Sequence, residues 1–267
     1  MVDLDDFSTY PEEIRDWVLK NGEWFKQTIS RETAKGRRIE KIIEDMKLAH
    51  ESFVLDFIHR NACMEVCVWH ATRIEDEKQF FDNGLLIIGA ENPRRRYCDL
   101  FRRIGLQEAD MKPIFKEMEK LWRRCEVTRV KAIHFFAQKS LSEDLQMSYF
   151  AVNIGGEVLR WALESVDKDL HKAEPYKRLW ILGKPCIIKF KCKLGDMYEL
   201  SRIRVVIELV KYFVITELYA STYEIECDGF CTVSIPPENI VTIEEMKNFI
   251  ETQEAYGYKG FYDELKK

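Results

Sequence analysis

Three short stretches of the chain assemble side chains able to bind and cleave a small polar ligand. The first is Val68-Trp69-His70-Ala71-Thr72-Arg73, followed by Asn83-Gly84-Leu85. His70 and Thr72 stand at i and i+2, so on a strand they share a face. They offer one ligand a ring nitrogen and a hydroxyl, and Arg73 beside them can meet a phosphate. The plainer alternative for His70 is a histidine at the edge of the core, bonded to backbone.

The second stretch is Ile133-His134-Phe135-Phe136-Ala137, then Tyr149 to Ile154 and Gly155-Gly156-Glu157. An aromatic ahead of a helix can stack on a flat heteroaromatic group. Tyr149 is the first candidate and Phe136 the second, with core packing as the alternative for both. Gly155-Gly156-Glu157 puts backbone N–H groups and a carboxylate at a helix start. Glu157 is there either a ligand contact or an ordinary first-turn acid. The third stretch is Tyr223-Glu224-Ile225-Glu226, followed by Phe230-Cys231-Thr232-Val233-Ser234-Ile235-Pro236-Pro237-Glu238-Asn239-Ile240. Glu224 and Glu226 face one side of an extended chain. One such carboxylate can stabilise an oxocarbenium-like charge beside a sugar ring while the other orients an acceptor. The alternative is a pair of exposed acids on an edge strand.

Taken in order, these stretches resemble the ADP-ribosyltransferase superfamily over roughly Val66 to Ile243. Its first core strand ends in His-Gly-Thr or a variant; here position 71 is Ala. An aromatic of its middle segment stacks on nicotinamide, and a glutamate on a late strand precedes a paired-proline segment. The resemblance implies that His70 and Thr72 seat NAD, with Arg73, Phe136, Gly155, Gly156 and Glu157 as further NAD-binding candidates. It implies that Tyr149 stacks on nicotinamide and that Glu226, or Glu224, stabilises the ribosyl cation. The implied fold is α+β, with N-terminal helices followed by a split mixed β-sheet core. The implied activity is transfer of ADP-ribose from NAD to a macromolecule, nucleic acid first and protein second. Small transferases of this kind resemble toxins of toxin–antitoxin and phage-defence modules, so an antitoxin or other protein partner is a further expectation. The alternatives are a binding module that kept the fold without the chemistry, and an NAD glycohydrolase.

Composition sets the wider limits. The chain has 267 residues, 46% of them hydrophobic and 12% aromatic, enough to bury a full core. Glycine is scarce, at 12 residues. Neither GxxxxGK[ST] nor GxGxxG occurs, which argues against a glycine-rich phosphate cradle. The net charge of −5 argues against a polyanion partner on average. The average hides an asymmetry: Arg94 to Lys131 holds 12 Lys/Arg against 6 Asp/Glu, a net of +6 that leaves −11 on the other 229 residues. Interleaved Arg and Tyr97 in this block suit phosphate contact plus base stacking, so RNA or DNA is the first acceptor expected. The same arginines could grip the NAD pyrophosphate, or simply form a solvated face.

The elements that would position these residues follow from periodicity. Residues 1–62 read as a helical segment and 63–267 as the domain proper, with a basic helical insertion at about 91–131. A first helix opens near Pro11, and a second runs from about Glu32 to Arg60 on the stripe Ile39, Ile42, Ile43, Met46, Ala49, Phe53 and Phe57. Met64 to His70 alternates as a strand, and Glu75 to Asn83 reads as a helix stopped by Gly84. Ala109 to Arg124 and Gly156 to Leu170 read as helices, and Val130 to Phe136 and Pro185 to Lys193 as strands. Arg204 to Val214 stays open between helix and strand. Asp228-Gly229 predicts a hairpin between Tyr219–Cys227 and Phe230–Ile235. Ile240 to Ile243 reads as a short extended segment and Glu244 to Tyr256 as a last helix.

No metal is expected. Cys63 and Cys67, placed on one strand-like run, would sit about 13 Å apart. Cys227 and Cys231, flanking Asp228-Gly229, are the better half of any four-cysteine zinc site. The acidic start MVDLDDF shows no signal peptide, and no apolar run is long enough to span a bilayer, so a cytoplasmic chain with free thiols and no membrane contact is expected.

Overall fold

The alternating, β-branched stretch after Asn61 forms strand β2 (Glu65–Ile74), beside which the rest of the sheet is ordered. A computed structural model describes residues 1–87, 93–125, 131–143, 156–167, 170, 174, 176–180 and 182–246. Among them are ten α-helices and six strands, so the fold is α+β. The strand order is β5-β3-β2-β4-β6, with β1 (Val2–Asp3) pairing with β2. β3 is Ile133–Phe136, β4 Lys184–Lys193, β5 Asp228–Cys231 and β6 Ile240–Glu245.

The chain divides into two compact units. The first comprises Met1–Val68, Phe136–Gln138 and Cys192–Gly229. It holds α1 (Glu12–Lys20), α2 (Gly22–Thr33), α3 (Ile39–Asp45), α4 (Lys47–Arg60) and α10 (Glu199–Phe213), the last running on into a π-helical turn at Val214–Leu218. α1, α3 and α4 all pack on α10. That packing decides the open choice over Arg204 to Val214. Its β-branched residues favour a strand, but Val205, Val206, Leu209, Val210 and Phe213 are all buried against helices, so tertiary burial overrides local preference. The single long helix expected to Arg60 is three pieces. The chain turns at Gly36, whose φ of 80° only glycine adopts freely, and again at Met46. β1 lies parallel to β2, pairing Val2 with Val66 and Asp3 with Cys67.

The second unit comprises Trp69–Phe135, Lys139–Lys191 and Phe230–Lys267. It holds α5 (Lys78–Asn83), α6 (Pro93–Arg103), α7 (Glu108–Cys125), α8 (Lys139–Glu143) and α9 (Gly156–Val166). α6 and α9 pack on α7. α6 falls within the basic helical insertion expected at about 91–131, and beneath its run of arginines it buries Tyr97, Leu100 and Phe101. α5 ends at Gly84 as expected. There φ is 72° and ψ −161°, and an added Cβ would stand 1.9 Å from the carbonyl oxygen of Ile235, so the position requires glycine. β4 and β6 pair antiparallel, Cys186 with Glu245 and Ile187 with Glu244. The last helix expected from Glu244 is therefore displaced at its start, since Glu244 and Glu245 complete β6; the rest of it, with the aromatic tail, falls outside the described residues.

The predicted hairpin does not form. Asp228 and Gly229 open β5 instead of turning, and residues 220–227 hold no regular structure. A tight turn of that type needs positive φ at both central residues, which neither adopts.

Candidate functional site

β2 is buried on both faces from Val66 to Trp69 and then alternates. Ala71 and Arg73 are buried, while His70 and Thr72 are half-buried. The two polar residues therefore share the more open face of the strand end. His70 is anchored by a contact of 2.7 Å between Nδ1 and the carbonyl oxygen of His134 on β3, whose own ring packs edge-on against Phe230. Since a carbonyl only accepts, Nδ1 donates. Burial disfavours the charged ring and lowers the His70 pKa to about 4. The imidazole is thus neutral near pH 7, with Nε2 left as an acceptor suited to a hydroxyl donor. The ring makes the backbone bond foreseen as the plainer alternative, and its second nitrogen remains an acceptor.

Arg73 lies on the opposite face. Its Nε donates to the carbonyl of Leu182 at 2.9 Å and its Nη2 to that of Gly183 at 2.7 Å. Gly183 makes this approach possible, because with φ at 69° an added Cβ would meet the oxygen of Ile74 at 2.8 Å. Arg73 thereby fastens the end of β2 to the 182–183 turn. Just beyond it, Glu75 and Arg103 form a two-pronged ion pair, one contact at 2.7 Å. Phe136, on β3, is 1% exposed and belongs to the core of the first unit. Tyr149 and Gly155 lie outside the described residues; Gly156 and Glu157 occupy the first turn of α9.

Glu224 and Glu226 lie in the irregular segment 220–227 rather than on a strand, yet the expected alternation holds. Both are exposed, while Ile225 and Cys227 are buried. The segment is fixed from within the first unit at several points. The Tyr223 hydroxyl donates to Glu208 Oε2 at 2.7 Å, and Lys211 Nζ donates to Glu208 Oε1 at 2.6 Å. Arg204 Nη1 meets Asp228 Oδ1 at 2.7 Å, and the Ala137 amide donates to the Cys227 carbonyl at 2.8 Å. Arg204, Glu208 and Lys211 recur at i, i+4 and i+7 on one face of α10. Burial, and then the charge of Glu208, push the Tyr223 phenol well above its ordinary range. Burial likewise raises the Cys227 thiol, and lifts that of Cys186 to about 11, so both stay protonated. Sequence reasoning missed the Glu208–Lys211–Tyr223 cluster. Its signal was present: two charges of opposite sign, three residues apart, inside an otherwise apolar run.

Among the described residues no group of three or more His, Cys, Asp or Glu is placed to hold a metal ion, and no helix is long and apolar enough to cross a membrane. The chain matches no protein-family model, no curated protein and no solved structure. The chemistry must therefore be argued from the residues themselves.

Two measurements test this geometry. The unfolded chain titrates His70 near 6.5 and the folded chain near 4, so between these values the unfolded state binds the extra proton. The stability contributed by neutral His70 is fully present above about pH 6.5 and is lost as pH falls toward 4. Denaturant melts of His70→Gln should show a flatter dependence across that window than wild type; an identical slope would contradict the neutral assignment. Tyr223→Phe, which strips a hydrogen bond from a buried carboxylate, should cost about 1.5–3 kcal/mol of unfolding free energy. A loss below about 0.5 kcal/mol, the range of ordinary surface substitutions, would remove the cluster from the account.

Proposed function

We propose that the protein is an NAD-dependent ADP-ribosyltransferase that modifies a macromolecule, nucleic acid before protein, in the manner of a toxin or phage-defence effector. The observation that carries the reading is the end of β2. There a neutral His70, its Nδ1 proton committed to His134, shares a half-buried face with Thr72. In the superfamily the sequence resembles, such a pair seats the ribose and the amide of NAD, and an accepting nitrogen beside a hydroxyl can take the hydrogen bonds those groups offer. Further support comes from Glu224 and Glu226, two exposed carboxylates held on a fixed backbone.

In this mechanism the bond from the ribose C1′ to the nicotinamide nitrogen breaks, and its electron pair leaves with neutral nicotinamide. The ribosyl carbon becomes oxocarbenium-like, and Glu226, or Glu224, stabilises the charge and binds a ribose hydroxyl. The acceptor nucleophile then bonds to C1′ and loses its proton, for which the second carboxylate is the available base. Tyr149 is the proposed stacking partner of the nicotinamide ring. Arg73 positions the strand end through the 182–183 turn.

Incubation with NAD labelled on the adenylate half, against separate pools of DNA, RNA and protein, tests the reading. Label on a macromolecule with release of nicotinamide is expected, and Glu226→Gln should lower transfer by about 100-fold or more. Nicotinamide released without labelled macromolecule identifies a glycohydrolase instead. Neither release nor label would overturn the enzymatic reading.

A further inference from the structure

We propose that the solvent face of α7 is a docking ridge for the phosphate backbone of duplex DNA. Lys112, Lys116, Lys120 and Arg123 recur at i, i+4, i+8 and i+11, and all four are exposed. At 3.6 residues per turn they fall within about 80° of one another and span about 16 Å of helix. The opposite face is closed: Met111, Ile114, Phe115 and Met118 are buried where α6 and α9 pack on the helix. Among the described residues Lys112, Lys116 and Arg123 form no ion pair, while Lys120 meets Glu117 at 2.5 Å. Elsewhere in the basic block, Arg103 is tied to Glu75 and Arg102 to Asp99. The unspent positive charge described in the block thus lies mainly along one edge of one helix. Glu108 and Glu119 flank that edge on one side.

The kind of nucleic acid follows from what the ridge lacks. Single-strand binders add aromatic platforms on which bases stack. Here Tyr97, Phe101 and Phe115 are all buried, and no described side chain of α6 or α7 offers an exposed ring. The interleaved tyrosine that sequence paired with the arginines is a core residue, 3% exposed. A ridge of cations with no stacking group among its described side chains reads phosphates rather than bases, and a duplex presents its phosphates outward. B-form DNA has a major groove about 12 Å wide that admits a helix, whereas the deep, narrow groove of duplex RNA does not. The proposal rests on the reading of the acceptor as nucleic acid.

The test is anisotropy binding of the full chain, without NAD, to duplex DNA, single-stranded DNA and duplex RNA of one sequence. The variant is K112Q/K116Q/R123Q, whose exposed positions leave the fold intact by circular dichroism. Wild type should hold duplex DNA more tightly than the other two. The variant should lose at least about tenfold in affinity, and the slope of log affinity against log salt should fall by about three. Unchanged affinity and slope in the variant, or single strands held as tightly as duplex, would overturn the ridge. Since no NAD is present, failure here with label still passing to nucleic acid overturns the ridge alone. Intact duplex binding without nicotinamide release overturns the transferase alone.

Discussion

A carboxylate that is 3% exposed must be met by donors, and in the first unit Lys211 and Tyr223 meet that of Glu208. Lys211, one turn along α10, supplies charge and one hydrogen bond; Tyr223 supplies another from a different part of the chain. Removing either would leave a buried lone pair unsatisfied, which costs more than a typical hydrogen bond returns. The cluster therefore fixes two things at once. It requires α10 to be helical, since only that period puts Glu208 and Lys211 side by side. It also requires residues 223–228 to run extended along α10, where Arg204 and Asp228 add a second, exposed contact of lesser worth.

That constraint has a chemical consequence. With Tyr223, Ile225 and Cys227 turned inward, Glu224 and Glu226 are left outward on a backbone that cannot slide by one residue without burying both acids. The second unit applies the same device to another residue type. The carbonyl of His134 fixes the proton on Nδ1 of His70, and the alternation of β2 sends Ala71 and Arg73 to one face and His70 and Thr72 to the other. In both units a buried polar contact fixes how neighbouring polar side chains are placed.

How far sequence reached depended on whether the deciding force was local. Strands β2 and β4 and the stop at Gly84 were legible, because alternation and a positive φ are written in consecutive residues. So was the pairing of His70 with Thr72 and of Glu224 with Glu226, which needs only the period of an extended chain. α10 was left open because its β-branched residues and its helical packing disagree, and the packing comes from α1, α3 and α4 far away in sequence. The Asp228-Gly229 turn was misread for the same reason: Arg204, 24 residues earlier, takes the aspartate. Arg73 looked like a phosphate ligand until the carbonyls of Leu182 and Gly183 came into place more than a hundred residues later. Tyr97 looked like a stacking residue until the apolar side of α6 was seen to need it.

The central proposal is that the chain breaks the bond between ribose and nicotinamide in NAD, and that His70 and Glu226 are each needed for it. A double-mutant cycle on nicotinamide release tests it most directly, with His70→Ala, Glu226→Gln and the double variant assayed in the same buffer. The account predicts that each single change lowers the rate sharply and that the double variant is no faster than the slower single one. A wild-type rate in either single variant would contradict it.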